Sequence, residues 1–246
     1  MPLYNCEAFV GEAIDSIRNQ TMEDWELIVV DDASTDASAE CVSEKLDDAR
    51  INLLRFDRNS GPAAARTAGI MQAQGRYIAF LDSDDLWLPE KLETQLAFMD
   101  QEHCGMCFTS YETIYADGTH YNYVHVPDAI DYRGFMKNTI TCAHTIVFDT
   151  MLVDKGLLHA RDDGSWKDYP EDLDVWLRVL RSGHTARGLD VCLAKYRKHA
   201  ESRSARPFRA AHRTWNQYRH REQLGFMQAA YCLFWQLFHA MLKRVR

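Results

Sequence analysis

The amino-acid sequence predicts an α/β protein: a mostly parallel, Rossmann-like sheet covered by helices on both faces, with a C-terminal helical extension. Three observations lead there. Helical segments and short apolar runs alternate over residues 7–102, the pattern of a parallel sheet with crossover helices. The runs are continuous instead of alternating with polar residues, as in strands buried on both faces. Residues 206–243 then lose strand character and become helical, rich in Trp, Tyr, Phe and Arg.

The elements follow in order. "EAFVGEAIDSIRN" (7–19) places Val10, Ile14 and Ile17 on one helical face. "WELIVV" (25–30) is a buried strand that ends at Asp31-Asp32, and "STD" offers N-caps for a helix reaching about residue 46. "INLLRF" (51–56) is a second strand. After the turn "DRNSG", Pro62 suits the first position of a helix that Gly75 would stop. "RYIAFL" (76–81) is a third strand, and Pro89 opens the helix "PEKLETQLAFMDQ". Beyond residue 103 the pattern is less regular. A hairpin is predicted around Asp117-Gly118, and "EDLDVWLRVLRSG" is a short helix with a glycine stop. No repeat or linker interrupts the chain. Residues 1–204 read as one domain with halves 1–102 and 103–204, and 205–246 as a basic amphipathic tail.

With 46% hydrophobic and 26% charged residues, the 246-residue chain has the composition of a globular protein with a large core. No apolar run reaches the roughly 20 residues of a membrane span, and no signal segment opens the chain. Seven irregularly spaced cysteines read as reduced thiols, so the expected location is cytoplasmic. The lone Cys104–Cys107 CxxC lies in a strand-like run and reads as core, not as a metal or redox site. The net charge of −8 conceals an asymmetry: from Lys195 onward 12 Lys and Arg stand against 2 Asp and Glu, while the first 194 residues carry 16 against 34. This balance does not fit a nucleic-acid binder. The tail either faces an anionic surface or substrate or packs as a solvated helix on its own acidic domain.

The chemistry concentrates in carboxylates. Ligands of open parallel sheets bind beyond the carboxyl ends of the strands, where Asp31, Asp32, Asp82, Asp84 and Asp85 fall. Such a cluster repels itself unless cations or donors compensate, and hard oxygen ligands suit Mg²⁺ or Mn²⁺ bridging to phosphates. Plainer roles compete: Asp32 or Asp85 as an N-cap, and Glu171-Asp172 as charge compensation at a helix N-terminus. Asp32, Ser34 and Asp36 open like an EF-hand, but Ala37 and Ser43 stand where Gly and Glu are required. No Gly-rich dinucleotide or P-loop motif follows any strand.

"PLYNCEAFVGEAIDSIRNQT", "WELIVVDDASTD", "NSGPAAARTAGI", "GRYIAFLDSDDLWLPEKL" and "YPEDLDVWLR" resemble, in this order, the successive blocks of family 2 glycosyltransferases, over residues 2 to about 204. The later "LAKYRKHAESRS" is similar to a segment of members that build bacterial surface polysaccharides. The resemblance implies a GT-A fold and an inverting, metal-dependent sugar transfer from a nucleotide-sugar donor, with UDP the usual nucleotide, to a saccharide or lipid-linked acceptor. Asp82-Ser83-Asp84 matches the DxD motif, with Asp84 on Mn²⁺ or Mg²⁺ and Asp82 on the ribose or metal. Asp31 or Asp32 matches the carboxylate that reads the base. Pro2 and Tyr4 match the segment lining the nucleotide, and Arg66 a basic residue near it; Thr67 stands where the family commonly has Asn. Glu171-Asp172 matches the ED motif, Asp172 being the catalytic base. His199 matches a position that helps hold the metal or diphosphate, a task Lys195, Arg197 and Lys198 could also perform. Trp87 and Trp176 are expected to be packing residues. The resemblance further implies an apolar strand ahead of the segment that opens at Met1, so exposed sheet edges are expected there.

Two readings compete with sugar transfer on similar carboxylates. A nucleotidyltransferase would want a Gly-rich phosphate loop and an early Lys, and a glycoside hydrolase would use Asp84 and Asp172 without nucleotide. A third reading, from another class, is a catalytically silent GT-A-like domain. It would dock a membrane or partner through residues 206–246, where "YCLFWQLFHAMLKRVR" has an apolar face and a basic end. The same helix would suit peripheral contact at the inner face of the plasma membrane, packing on the enzyme body, or pairing with a second copy as a homodimer.

Overall fold

The computed structural model describes residues 1–138, 142–161, 167–199 and 207–245. Two sheets organise it. The first is wholly parallel, in the order β1 (Pro2–Leu3), β2 (Leu27–Asp31), β3 (Ile51–Arg55). Leu3 pairs with Asp31, and Asp31 with Arg55, so the strands end level with one another. Helices α1 (Val10–Arg18) and α2 (Ser38–Ser43) cover one face, and α3 (Pro62–Gln72) the other. The alternation of β2 explains this: Val29 joins the Val10–Ile14 core, while Ile28 and Val30 point at Gly69 of α3. Pro62 is the first residue of α3, as the sequence predicts. The helix ends at Gln72 rather than at Gly75, because Ala73 turns extended and Glu26 takes the amides of Gln74 and Gly75.

The second sheet has seven strands and is mixed. Its path is β4 (Tyr77–Ala79), β9 (Ile146–Asp149), β6 (Met106–Tyr115), β10 (Ala186–Lys198), β5 (Leu86–Trp87), with β7 (His120–Val124) on β6 and β8 (Ala129–Ile130) on β10. Strands β6 and β10 run parallel along nearly their whole length; the remaining pairs are antiparallel. The predicted hairpin is β6–β7, and Gly118 takes the positive φ of 83° that its turn requires. Helix α4 (Lys91–Glu102) starts two residues after Pro89; α5 (Tyr132–Lys137) and α6 (Glu171–Arg181) follow.

A cavity of about 720 Å³ separates β2 from β4, lined by Met1, Ile28, Gly69, Ile70, Ile78 and Phe80. Met1 donates its ammonium to Ile28 O at 2.8 Å, and burial pushes that amine down to about 5. Among the described residues no strand joins the two sheets.

The tail is not one continuous helix. Helix α7 (Pro207–Asn216) widens into a π turn over Gln217–Arg221, the chain breaks at Gln223 with φ 54°, and α8 (Phe226–Val245) begins. Tyr218 is fully buried and donates to Met136 O, joining the core of Phe108, Phe148, Trp176 and Leu177. No described helix is long and apolar enough to cross a membrane.

Candidate functional site

The ends of the parallel strands form one wall. Asp31 and Asp32 are buried. Asp31 accepts from the Ser34 amide at 3.0 Å and lies 3.3 Å from Arg55 Nε. Asp32 accepts from the amides of Ser60 at 2.6 Å and Gly61 at 2.7 Å. Gly61 sits at φ 90°, where a side chain would be strained, so the loop entering α3 is fastened to β2 through Asp32. Neither aspartate caps α2, whose N-cap is Ala37; Asp36 just ahead of it accepts from the Ser38 amide and hydroxyl. Pro2 pairs with Val30, and Tyr4 follows it, 49% exposed. The contacts of Asp31 and Asp32 run to residues 34, 55 and 59–61 and not to the 82–85 turn.

That turn is the second wall, and its four residues look in different directions. Asp82 accepts from Arg66 Nη2 at 2.6 Å. Ser83 is buried and hydrogen-bonded to the Cys6 thiol, which burial pushes up to about 11. Asp84 Oδ2 lies 2.8 Å from His199 Nε2. Asp85 is buried: it accepts from the Arg197 amide at 2.8 Å and stands 2.7 Å from His144 Nδ1, an ion-pair distance without hydrogen-bond alignment. Burial raises the Asp85 carboxyl to about 6, with His144 pulling it back.

The second half of the chain completes the site through α6. Glu171 and Asp172 stand in its first turn, where carboxylates complement the helix dipole. Arg66 spans the crevice, holding Asp82 with one nitrogen and Glu171 Oε1 with the other at 3.1 Å. Its burial opposes the charge, but Asp82 and Glu171 outweigh it and keep the guanidinium protonated. Asp172 is half-buried and accepts from the Leu173 amide at 2.8 Å.

Several contributors were not expected. Arg213 of α7 reaches Glu171 Oε2 at 3.0 Å, so a chain of alternating charge runs Asp82–Arg66–Glu171–Arg213. Asp174, one turn into α6 and buried, gathers Arg161, Arg178 and Arg221 within 3.4 Å and accepts from Gln217 at 2.9 Å. Arg197, one of three basic residues that the sequence offered as alternative holders of phosphate, has its side chain enclosed. It is 3% exposed and donates to Asp84 O, Ala116 O and Glu12. Lys195 pairs with Glu112, and Lys198 lies over the Tyr121 ring. Trp87 and Trp176 are buried packing residues. Cys104 and Cys107 are free thiols that burial raises to about 11 and about 12, which leaves them without thiolate character. Residues 200–206 of the segment after His199 lie outside the described residues.

The carboxylate turn at 82–85 and the acidic first turn of α6 are thus tied together through Arg66. The model of glycosyl transferase family 2 matches residues 1–157, and the chain belongs to that family. It is 38% identical over 250 residues to a Bacillus subtilis glycosyltransferase, TuaG, named provisionally for teichuronic acid biosynthesis; the match covers 99% of this chain and 95% of TuaG. It is 33% identical over 220 residues to WfgD of Escherichia coli, named as a UDP-Glc:α-D-GlcNAc-diphosphoundecaprenol β-1,3-glucosyltransferase, covering 88% of this chain and 82% of WfgD. The fold is shared with Staphylococcus aureus TarS in complex with UDP-GlcNAc: TM-score 0.76 at 19% identity, over the whole of this chain and 72% of that one. The protein is thus a glycosyltransferase with a GT-A fold.

Among the described residues no group of three His, Cys, Asp or Glu side chains is arranged to hold a metal by itself. The donors present still fit one. Asp84 and His199 offer one oxygen and one nitrogen on partly exposed side chains, and Mg²⁺-type sites commonly take one or two protein carboxylates with the rest from substrate phosphates.

Proposed function

We propose that the protein is an inverting, metal-dependent transferase that moves a sugar from a UDP-sugar to a saccharide or lipid-diphosphate-linked acceptor in surface polysaccharide synthesis. The observation that carries this reading is the pairing of Asp84 with His199 beside the Arg66 bridge from Asp82 to Glu171. The Arg66 bridge from Asp82 to Glu171 supports placing the metal-type donors near the candidate catalytic pair. The names of WfgD and WfaP, both UDP-Glc:α-D-GlcNAc-diphosphoundecaprenol glucosyltransferases, support the donor nucleotide and acceptor class.

In this reading Pro2 and Tyr4 line the nucleotide, and Asp31 or Asp32 faces the base. Asp82 and Ser83 hold the ribose end. Mn²⁺ or Mg²⁺, held by Asp84 and His199 with donor phosphates completing its shell, would offset the charge that develops on the departing diphosphate. Asp172 takes the proton from the attacking acceptor hydroxyl, which makes that oxygen nucleophilic at the anomeric carbon. Glu171, fixed between Arg66 and Arg213, orients the first turn of α6 that carries Asp172. Attack from the face opposite the leaving diphosphate inverts the anomeric centre.

The test is incubation of the full chain with UDP-glucose, Mn²⁺ and a synthetic lipid-diphosphate GlcNAc, followed by NMR of the product. A β-linked disaccharide is expected. UDP-sugar hydrolysis alone, or nucleotide transfer to a sugar phosphate, would contradict the proposal.

A further inference from the structure

Helix α8 is apolar on two opposite sides. Ala229 and Cys232 are buried against the body, and Leu233 packs beside them. The other side carries Met227, Tyr231, Phe234, Phe238 and Met241, at 78%, 53%, 61%, 42% and 66% exposure. These five fall at i, i+4, i+7, i+11 and i+14, one continuous stripe along the helix. Phe234 and Phe238 stack, and Trp235 meets Phe238 edge-on, so the stripe is a joined aromatic surface. A helix apolar all round is normally buried, and a contiguous exposed apolar patch marks an interaction surface.

The charge around the stripe identifies the kind of partner. Residues 205–246 contain eight Lys and Arg and a single carboxylate, Glu222; Arg213 and Arg221 among the eight are paired with Glu171 and Asp174 of α6. The Glu222 carboxylate is buried and engaged by Arg181, Gln217 and Tyr132. On the neighbouring α5, Lys137 Nζ lies 5.7 Å from the Tyr231 ring and Arg133 is exposed. The acidic surplus belongs to the first 194 residues. The exposed apolar stripe is thus flanked by Lys137 and Arg133 of α5, and α8 itself carries no carboxylate side chain. A purely apolar protein partner would gain nothing from the basic rim, whereas an anionic lipid surface complements both properties.

We infer that the outward face of α8 seats in the headgroup layer of an anionic membrane, with the helix lying in the plane of the interface. Helix α7 makes the attachment rigid. Arg213 is bound to Glu171, and Arg221 and Gln217 are bound to Asp174, so the docked tail holds the first turn of α6 at a fixed offset from the lipid. The use of that offset, presenting the site to a lipid-linked acceptor, rests on the proposed function; the docking itself does not.

The test is flotation of the full chain with vesicles of phosphatidylglycerol and phosphatidylcholine, and with phosphatidylcholine alone. The doublet Phe234→Glu/Phe238→Glu is run beside it, since both side chains are exposed and their replacement leaves the core intact. Thermal melting and UDP–Mn²⁺ titration are measured on the same samples. Expected are flotation with the phosphatidylglycerol vesicles, weakening with salt, and a loss of about tenfold or more in the doublet at an unchanged melting temperature. Absence of flotation by the unaltered chain, or equal flotation of the doublet, overturns the inference. So does a stable dimer that the doublet converts to monomer, which would make the stripe a self-interface. Flotation without UDP binding would remove the UDP-sugar reading and leave the docking surface; UDP binding without flotation would do the reverse.

Discussion

The carboxylate of Asp84 lies 2.8 Å from Nε2 of His199, although 115 residues of chain separate them. The long pairing of β6 with β10 delivers His199 to the turn, and Arg197, two residues earlier on the same side of β10, locks the Asp84 carbonyl and the Asp85 region in place. If this pair helps hold the metal–diphosphate unit, His199→Ala weakens Mn²⁺-dependent UDP binding by about tenfold or more, with little change in melting temperature. Calorimetric titration checks it; unchanged affinity would make the contact structural only.

Arg66 links the carboxylate turn to α6 and serves two acids at once. Arg66→Ala removes one ion-pair partner from Asp82 and one from Glu171. A loss of about 3 kcal/mol is expected, because the buried Glu171 carboxylate loses an ion-pair partner. Arg66→Lys should recover only part of this, since an ammonium does not reproduce the fork of the guanidinium. Denaturant unfolding of the two variants decides the matter.

Asp172 is half-buried at a helix start and is not a core residue. Asp172→Asn should lower kcat by about 10²–10⁴ while UDP–Mn²⁺ affinity and melting temperature stay put. A fall in affinity instead would reassign Asp172 to donor binding.

Lys91 is fully buried at the start of α4, bound to Gln95 and 4.6 Å from the Trp87 ring centroid, and burial lowers its amine to about 7. In the unfolded chain that amine keeps its ordinary value of 10.5. Between pH 7 and 10.5 the unfolded state therefore binds the extra proton, and this group makes stability rise with pH across that window. Its cost is full below pH 7. Lys91→Met should raise stability at pH 7 by on the order of 1–3 kcal/mol, with the advantage fading towards pH 10.5. A gain independent of pH would mean that packing, not charge, sets the effect.

The strands of the first half are legible because each is a short apolar run that stops at a turn or a carboxylate, and the 82–85 turn is legible for the same reason. Strand β10 is not. Its alternation is broken by Asp190, by register shifts at Cys192 and Ala194, and by inward charges such as Arg197 that become satisfied only when β5 and β6 flank them. Asp174 reads as one more acid on the first turn of a helix; its burial depends on Gln217 and Arg221 folding back from the tail. Arg213 is one arginine among many in a basic segment, and only the path of α7 brings it to Glu171. Sequence spacing places Arg197 beside His199 but does not reveal that its side chain is enclosed.

The most direct measurement is calorimetric titration of UDP into the full chain with Mn²⁺ and with EDTA, beside Asp84→Ala. The account predicts binding that requires Mn²⁺ and disappears in the variant. UDP binding of equal strength in EDTA, or retained by Asp84→Ala, would contradict the assignment of Asp84 as the residue that holds the metal against the nucleotide.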